Sequence, residues 1–138
     1  MTTIGIVDDN DVLRQSMQLL LENSGRFEVV FSLHDARTLL AQTESLMPRL
    51  LLMDIDMPGI NGIDAVKMVK KDYPSVEVVM FTVFEDDEKI FRSVMAGASG
   101  YLLKKTAPEK LLEALDDFVQ GGAPMTGSIA TRVLQMFR

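Results

Sequence analysis

Residues 50–59 read LLLMDIDMPG, a run of four apolar residues followed by two aspartates and a turn. The apolar run, residues 50–53, has the length of a short strand, and its unbroken hydrophobicity suits a strand covered on both faces of a parallel sheet. Met57-Pro58-Gly59 predicts a rigid turn a few residues further on. Asp54 therefore lies just beyond the end of a buried strand, where open α/β sheets bind their ligands.

Four other short apolar runs alternate with segments of helical periodicity, and successive runs begin about 23 to 26 residues apart. The five strand candidates are residues 3–7, 27–31, 50–53, 76–82 and 100–103. This alternation predicts βα units, and right-handed crossovers then place helices on both faces of the sheet. The predicted fold class is α/β: a five-stranded parallel sheet of order 2-1-3-4-5, in a flavodoxin-like (βα)5 three-layer sandwich with an additional C-terminal helix.

Helix boundaries are predicted from capping signals. Gly25 is expected to end the first helix. Ser32 and Asp35 have capping-box spacing for a second helix that begins near Asp35, and Thr106 with Glu109 is a stronger capping box for the fifth helix. Residues 126–138 form a short sixth segment with an apolar face.

Composition limits the function classes. The chain has 138 residues, 47% of them hydrophobic, which suits one domain with a single core. It has no cysteine and one histidine, so disulfides, thiolate metal sites and poly-histidine metal centres are excluded. A net charge of −6 disfavours nucleic-acid binding by this chain. Without a signal peptide or an apolar run long enough to span a bilayer, we expect a soluble, cytoplasmic protein with no membrane partner.

The predicted topology brings three aspartates to one crevice. Asp8 and Asp9 follow the first strand and Asp54 follows the third, on either side of the switch point of the sheet. One such aspartate would more often cap a helix or a turn, but three at one point favour a ligand site. Carboxylates without histidine or cysteine select a hard cation, and Mg²⁺ fits best because it binds through one or two carboxylates and completes its shell with water and phosphate oxygens.

Two more strand ends supply groups that can bind a phosphoryl group. Thr82 ends the fourth strand and offers a hydroxyl donor, and Lys104 follows the fifth strand and offers a mobile positive charge. Phosphoryl transfer depends on positioning and charge neutralisation, and a carboxylate can act as the nucleophile by forming an aspartyl phosphate. Asp54, at the end of the central strand, is the candidate nucleophile.

At this point the sequence resembles the receiver domain of two-component response regulators, and the resemblance extends from Ile4 to about Gly122. The motifs that carry it, read in order, are Ile6-Val7-Asp8-Asp9, Met53-Asp54-Ile55-Asp56-Met57-Pro58-Gly59 with Gly62, Phe81-Thr82-Val83, and Ala98-Ser99-Gly100-Tyr101-Leu102-Leu103-Lys104. The last motif, Ala107-Pro108-Glu109 and Gly121-Gly122-Ala123-Pro124 look most like the NarL/LuxR subfamily of transcriptional regulators.

The resemblance implies roles for individual residues. Asp54 would accept a phosphoryl group from a phosphohistidine on a sensor histidine kinase, which makes the chain a signalling phosphoacceptor that catalyses only its own phosphorylation and dephosphorylation. Asp9, Asp54 and the backbone carbonyl of Asp56 would bind Mg²⁺, with Asp8 acting directly or through water. Thr82 would donate to one phosphoryl oxygen and Lys104 would pair with another.

The resemblance also implies a conformational output. Thr82 would move toward the phosphoryl group and Tyr101 would turn inward, which changes the face formed by the fourth helix, the fifth strand and the fifth helix. We expect residues 1–122 to be the receiver domain and residues 123–138 to be a C-terminal extension or interdomain linker helix. Homodimerisation on phosphorylation is expected, with DNA bound only through a helix-turn-helix domain outside these residues. The chain would then be part of a longer regulator, or else a natural single-domain receiver.

Two other functions remain open from the sequence. A small phosphohydrolase of the haloacid dehalogenase type would also use an aspartyl phosphate, and Asp54-Ile55-Asp56 matches its D-x-D motif, but that motif should end the first strand rather than the third. A phosphorylation-independent interaction module would keep the fold without the chemistry. A flavodoxin-like electron carrier is set aside because residues 8–11, DDND, would repel the phosphate that its first loop must bind.

Overall fold

The structure, a computed structural model, describes residues 1–122, 125 and 127–138. Its sheet contains five parallel strands in the order β2-β1-β3-β4-β5, as predicted. The strands are β1 (Thr2–Val7), β2 (Phe27–Leu33), β3 (Leu50–Met53), β4 (Glu77–Thr82) and β5 (Gly100–Leu103). Every pair of neighbouring strands is parallel, so all five carboxyl ends lie at one edge of the sheet.

Helices follow the strands in alternation. They are α1 (Asp11–Asn23), α2 (Leu39–Leu46), α3 (Gly62–Asp72), α4 (Asp87–Ala96), α5 (Pro108–Val119) and α6 (Gly127–Met136). None of those helices combines the length and the apolar character that crossing a bilayer requires.

The core has two halves, one on each side of the sheet. Alternate strand residues face opposite sides: Leu51 and Met53 of β3 pack with residues of α2, α3 and α4, whereas Leu50 and Leu52 pack with residues of α1 and α5. All four residues are 2% exposed or less. This double covering is why the central strand β3 is continuously apolar in sequence, and it gives the three layers that were predicted.

Two predicted capping boxes are wrong. The second helix begins at Leu39 rather than near Asp35, because the Asp35 carboxylate accepts the backbone N–H of Arg37 at 3.0 Å and forms a local turn instead of a helix cap. The N-cap of α5 is Ala107, which offers no capping side chain. Pro108 starts that helix, and its fixed φ takes the place of the capping box predicted from Thr106.

The C-terminal helix packs on the α4 side of the sheet. Ile129 of α6 is fully buried in that half of the core, and the Phe91 and Phe137 rings lie 6.3 Å apart across the α4–α6 contact. Met125 forms a parallel bridge with Tyr101 on the outer strand β5. The predicted domain boundary after residue 122 adjoins residues 123 and 124, which lie outside the described residues, as does Thr126.

Candidate functional site

Backbone hydrogen bonds extend the sheet by one residue past its strand ends and so fix the predicted site residues. The Asp54 N–H donates to the carbonyl of Val7 at 2.9 Å, which locks β3 against the end of β1 where Asp8 begins. The Lys104 N–H donates to the carbonyl of Thr82 at 2.8 Å in the same way. Residues at the ends of four strands, β1, β3, β4 and β5, are therefore held at one edge by main-chain bonds rather than by flexible loops.

Three carboxylates and one ammonium group meet at this edge. Oxygen atoms of Asp8, Asp9 and Asp54 all lie within 4.8 Å of one another. Asp8 and Asp54 are only 4% and 5% exposed, whereas Asp9 is exposed. The Lys104 Nζ lies 2.9 Å from Asp8 Oδ2 and 3.2 Å from Asp54 Oδ2. With all the groups ionised, one ammonium faces three carboxylates, which leaves two negative charges uncompensated.

Each buried carboxylate is oriented by two different donors. Asp8 Oδ1 accepts the Asn10 N–H at 2.9 Å, and Asp54 Oδ1 accepts the Ile55 N–H at 2.8 Å. The second oxygen of each carboxylate faces Lys104. Both side chains are therefore held in defined orientations, as a nucleophile or a metal ligand requires.

The electrostatics of the cluster follow from burial. Burial and, after it, the neighbouring Asp8 raise the pKa of the Asp54 carboxyl from 3.8 to about 6, and Lys104 opposes both effects. For Lys104, burial acts to lower the pKa, but its bonds to the two aspartates hold the pKa above the ordinary value. Lys104 therefore stays protonated at neutral pH. The pKa of Asp54, at about 6, lies only about one unit below neutral pH.

The donor set fits Mg²⁺. Carboxylate oxygens from two strand ends converge, one of them exposed enough to leave room for water, and the described residues supply no nitrogen or sulfur ligand to this group. The uncompensated negative charge would also be relieved by a divalent cation. Asp56 lies in the exposed loop after β3, and the contribution of its carbonyl remains a prediction.

The two predicted switch residues are buried and meet at the loop between β4 and α4. Thr82 is 0% exposed, and its Oγ1 accepts the Phe84 N–H at 3.4 Å. Tyr101 is 1% exposed, and its hydroxyl donates to the Phe84 carbonyl at 2.8 Å. The ring therefore points inward. The sequence did not predict that Phe84 would bond to both switch residues. Only its backbone N–H and carbonyl take part, and any residue type could supply them.

Gly62 explains how α3 approaches the site so closely. Its N–H donates to the Ile55 carbonyl at 2.7 Å, and a Cβ at this position would overlap the Asp54 backbone carbonyl. Only glycine therefore fits where the first residue of α3 contacts the loop that carries Asp54.

Sequence reasoning missed Arg14. Its guanidinium donates to the backbone carbonyl of Asp8 and to the Ser32 hydroxyl, although its position three residues after Asp11 predicts only an exposed ion pair. No local pattern signals the contact with Ser32, because that residue belongs to a neighbouring strand.

The fold and the site together define a class: a doubly wound α/β protein with an acidic centre, partly neutralised by one lysine, at its topological switch point. The chain belongs to the response regulator receiver domain family, whose model matches residues 4–116. Its relatives are response regulators of the NarL/LuxR type, signalling proteins of two-component systems.

The transcriptional regulatory protein DegU of Brevibacillus brevis is 32% identical over 135 residues, which cover 98% of this chain and 57% of DegU. A LuxR-family response regulator from Aurantimonas aligns with a TM-score of 0.90 and 26% identity, over 99% of this chain and 98% of that one. The isolated receiver domain of RcsB from Salmonella enterica, solved with the phosphomimetic BeF3−, shares the fold with a TM-score of 0.86 and 24% identity, over 95% of this chain and 97% of that one. The chain spans less than two thirds of the length of curated relatives such as DegU.

Proposed function

We propose that this chain is a phosphoacceptor that receives a phosphoryl group on Asp54 from a sensor histidine kinase. The observation that carries the proposal is the oriented, nearly buried Asp54 carboxylate with the Lys104 ammonium 3.2 Å away and two more carboxylates within 4.8 Å. A structural ion pair would need one aspartate per lysine, and the surplus of negative charge at a switch point is better explained by a cation and phosphoryl site.

The proposed reaction transfers one phosphoryl group between two side chains. A carboxylate oxygen of Asp54 attacks the phosphorus of phosphohistidine, the P–O bond to the aspartate forms, and the P–N bond breaks as the imidazole leaves with its electron pair. The Lys104 ammonium then forms an ion pair with one phosphoryl oxygen, and the Thr82 hydroxyl donates a hydrogen bond to another. The chain thereby catalyses only its own phosphorylation and dephosphorylation.

Asp8, Asp9 and Asp54, with the Asp56 carbonyl, would hold Mg²⁺. When bound, the ion supplies positive charge that offsets the carboxylates and the phosphoryl oxygens. The protein's part is to present oriented oxygens, which the bonds from Asn10 and Ile55 support.

The switch is proposed to run through the loop between β4 and α4. If the Thr82 hydroxyl turns to a phosphoryl oxygen, Phe84 loses the acceptor of its N–H, and the bond from Tyr101 to the Phe84 carbonyl must adjust with it. Arg132 of α6 donates to the carbonyl of Glu85 in the same loop. A local event at Asp54 would thus bias a surface to which the C-terminal helix is attached.

Residues 1–122 are proposed to be the receiver domain, and residues 123–138 a C-terminal extension or interdomain linker, with α6 in it, that carries the state of the domain to an output. By analogy with the transcriptional regulators that it resembles, the output would be transcription, with DNA bound through a separate helix-turn-helix domain and with homodimerisation on phosphorylation. The proposed setting is the cytoplasm, where the kinase domain would meet the receiver.

The test is the intact mass of the protein after incubation with acetyl phosphate, with and without Mg²⁺. One phosphoryl adduct that requires Mg²⁺ and is missing from Asp54→Asn supports the proposal. Asp56→Asn is the matched control, because it removes an exposed aspartate two residues away while keeping its backbone carbonyl. This control should still form the adduct.

Other outcomes favour the alternatives. Multiple turnover of an unrelated phosphomonoester would favour the haloacid dehalogenase-type phosphohydrolase. No adduct from acetyl phosphate or from a phosphorylated kinase, in a folded protein, would favour an interaction module that works without phosphorylation.

A further inference from the structure

Arg14 carries a charged group that is almost buried and that the proposed phosphoryl transfer does not use. Its side chain is 11% exposed. Nη1 donates to the backbone carbonyl of Asp8 at 2.6 Å, Nε donates to the Ser32 hydroxyl at 2.9 Å, and Nη2 lies 2.8 Å from the Asp11 carboxylate. Burying a guanidinium is costly unless its donors are satisfied, so these bonds determine where the side chain rests.

The three contacts connect separate parts of the fold. Asp8 is the first residue beyond β1, Ser32 lies in β2, and Arg14 itself lies in α1. Because the guanidinium is planar and rigid, partners on several of its nitrogens fix its plane as well as its position. Arg14 thus ties the turn between β1 and α1 to the sheet at the point where the acidic cluster begins.

The bond to Asp8 bears directly on Asp9. A peptide unit is planar, so a donor that holds the Asp8 carbonyl also fixes the orientation of the Asp8–Asp9 peptide and the direction in which the chain enters Asp9. The Asp8 side chain has two anchors of its own, from Asn10 and Lys104, whereas Asp9 is exposed.

We propose that Arg14 is a positioning residue for the Mg²⁺ site, which holds the Asp8–Asp9 peptide so that both carboxylates converge with Asp54. The inference rests on the proposed function, because it takes Asp8, Asp9 and Asp54 to be the metal ligands. It adds a role for a residue that contacts the proposed ligands only at the backbone carbonyl of Asp8, and that the Ser32 hydroxyl anchors from β2.

Electrostatics and positioning predict effects of opposite sign. Arg14 is a positive charge close to a proposed cation site, so its removal should tighten Mg²⁺ binding if charge alone matters. If Arg14 positions the ligands, its removal should weaken binding despite the favourable change in charge. Loss of an outer-shell partner of metal ligands typically weakens affinity by about 10-fold to 100-fold.

The experiment is calorimetric titration of the full chain with MgCl2 alone, for the wild type, Arg14→Met, Arg14→Lys and Ser32→Ala. We expect Arg14→Met to bind Mg²⁺ about 10-fold more weakly, with a smaller loss in Arg14→Lys, which keeps the charge but not the planar fork. Ser32→Ala leaves the net charge unchanged and removes one anchor, so it should show a partial loss.

Arg26→Met is the matched charge control. Arg26 is 54% exposed and pairs with Asp116, and its loss should leave Mg²⁺ affinity within about twofold of the wild type. Phosphorylation by acetyl phosphate adds a second readout. At saturating Mg²⁺ the Arg14→Met rate should return close to the wild-type rate, because the defect lies in the affinity for the metal.

Equal or tighter Mg²⁺ binding by folded Arg14→Met would overturn the inference, as would a rate that stays low at saturating Mg²⁺. If Arg14→Met does not fold, Ser32→Ala decides: unchanged affinity would overturn the proposal and weaker affinity would support it. A wild type that binds no Mg²⁺ would instead refute the metal site of the proposed function, and this inference with it.

Discussion

Replacing Asp54 with asparagine should stabilise the protein at neutral pH when no divalent metal is present. The wild-type carboxylate is 5% exposed and lies beside Asp8, so its ionised form is disfavoured in the folded state. Asparagine has nearly the same shape, keeps an oxygen that can accept the Ile55 N–H, and carries no charge. Lys104 keeps its contact with Asp8 at 2.9 Å.

The size of the effect follows from the pKa of Asp54, which is raised from 3.8 to about 6. The folded protein therefore holds this proton more tightly than the unfolded chain, and stability is lost as pH rises from about 4 to about 6. A shift of about two units corresponds to about 3 kcal/mol. Asp54→Asn should thus be about 2 to 3 kcal/mol more stable than the wild type at about pH 7.5, and about equal to it at about pH 4.

The assay is urea unfolding followed by circular dichroism, in EDTA, at both pH values. Asp56→Asn, which changes an exposed aspartate, should stay within about 0.5 kcal/mol of the wild type. Millimolar Mg²⁺ should stabilise the wild type and narrow its gap to Asp54→Asn, because binding to the folded state adds stability by mass action. A gap that does not change with pH, or an Asp54→Asn protein less stable than the wild type at neutral pH, would refute the electrostatic reasoning.

Three more substitutions test the surroundings of the site. Gly62→Ala should lower the free energy of unfolding by about 1 to 3 kcal/mol, because its Cβ would overlap the carbonyl of Asp54; an unchanged urea midpoint would contradict this close approach. Tyr101→Phe should cost about 1 to 2 kcal/mol in the same assay, because the Phe84 carbonyl loses its donor. Arg132→Ala should raise amide hydrogen exchange in α6 about threefold with little change in β1 or β3, and equal protection would show that this contact does not hold the helix.

The sheet could be predicted from sequence because burial on both faces produces unbroken apolar runs. The boundaries were less predictable. β2 continues to Leu33 because Ser32 and Leu33 pair with Ile6 and Val7 of β1, although the polar Ser32 interrupts the apolar run. The register of a neighbouring strand, rather than local hydrophobicity, decides where this strand ends.

The sequence predicted β2 too short, but it predicted the start of α2 too early, near Asp35 rather than at Leu39. Asp35 has the spacing of a helix-capping partner, but its carboxylate accepts the Arg37 N–H and forms a turn. Short polar side chains can satisfy either arrangement, and packing decides between them. Leu39, the first residue of the observed helix, is 0% exposed. The helix therefore begins where its first side chain packs into the core.

The proximity of Asp8, Asp9, Asp54 and Lys104 was predictable because parallel strands bring their carboxyl ends to one edge. Their individual environments were not, since burial and hydrogen-bond partners depend on the whole fold. Arg14 is the clearest case: its spacing from Asp11 predicts a weak surface pair, yet most of its side chain is buried against a backbone carbonyl and a residue of β2.

The most direct test of the proposed phosphoacceptor is to locate the phosphoryl group chemically. Borohydride reduces an aspartyl phosphate to homoserine, so the protein would be treated with acetyl phosphate and Mg²⁺, reduced, digested and sequenced by mass spectrometry. The account predicts homoserine at position 54 alone, and none when Mg²⁺ is removed by EDTA. Homoserine at another aspartate, or a stable phosphoryl adduct with Asp54 unmodified, would contradict it.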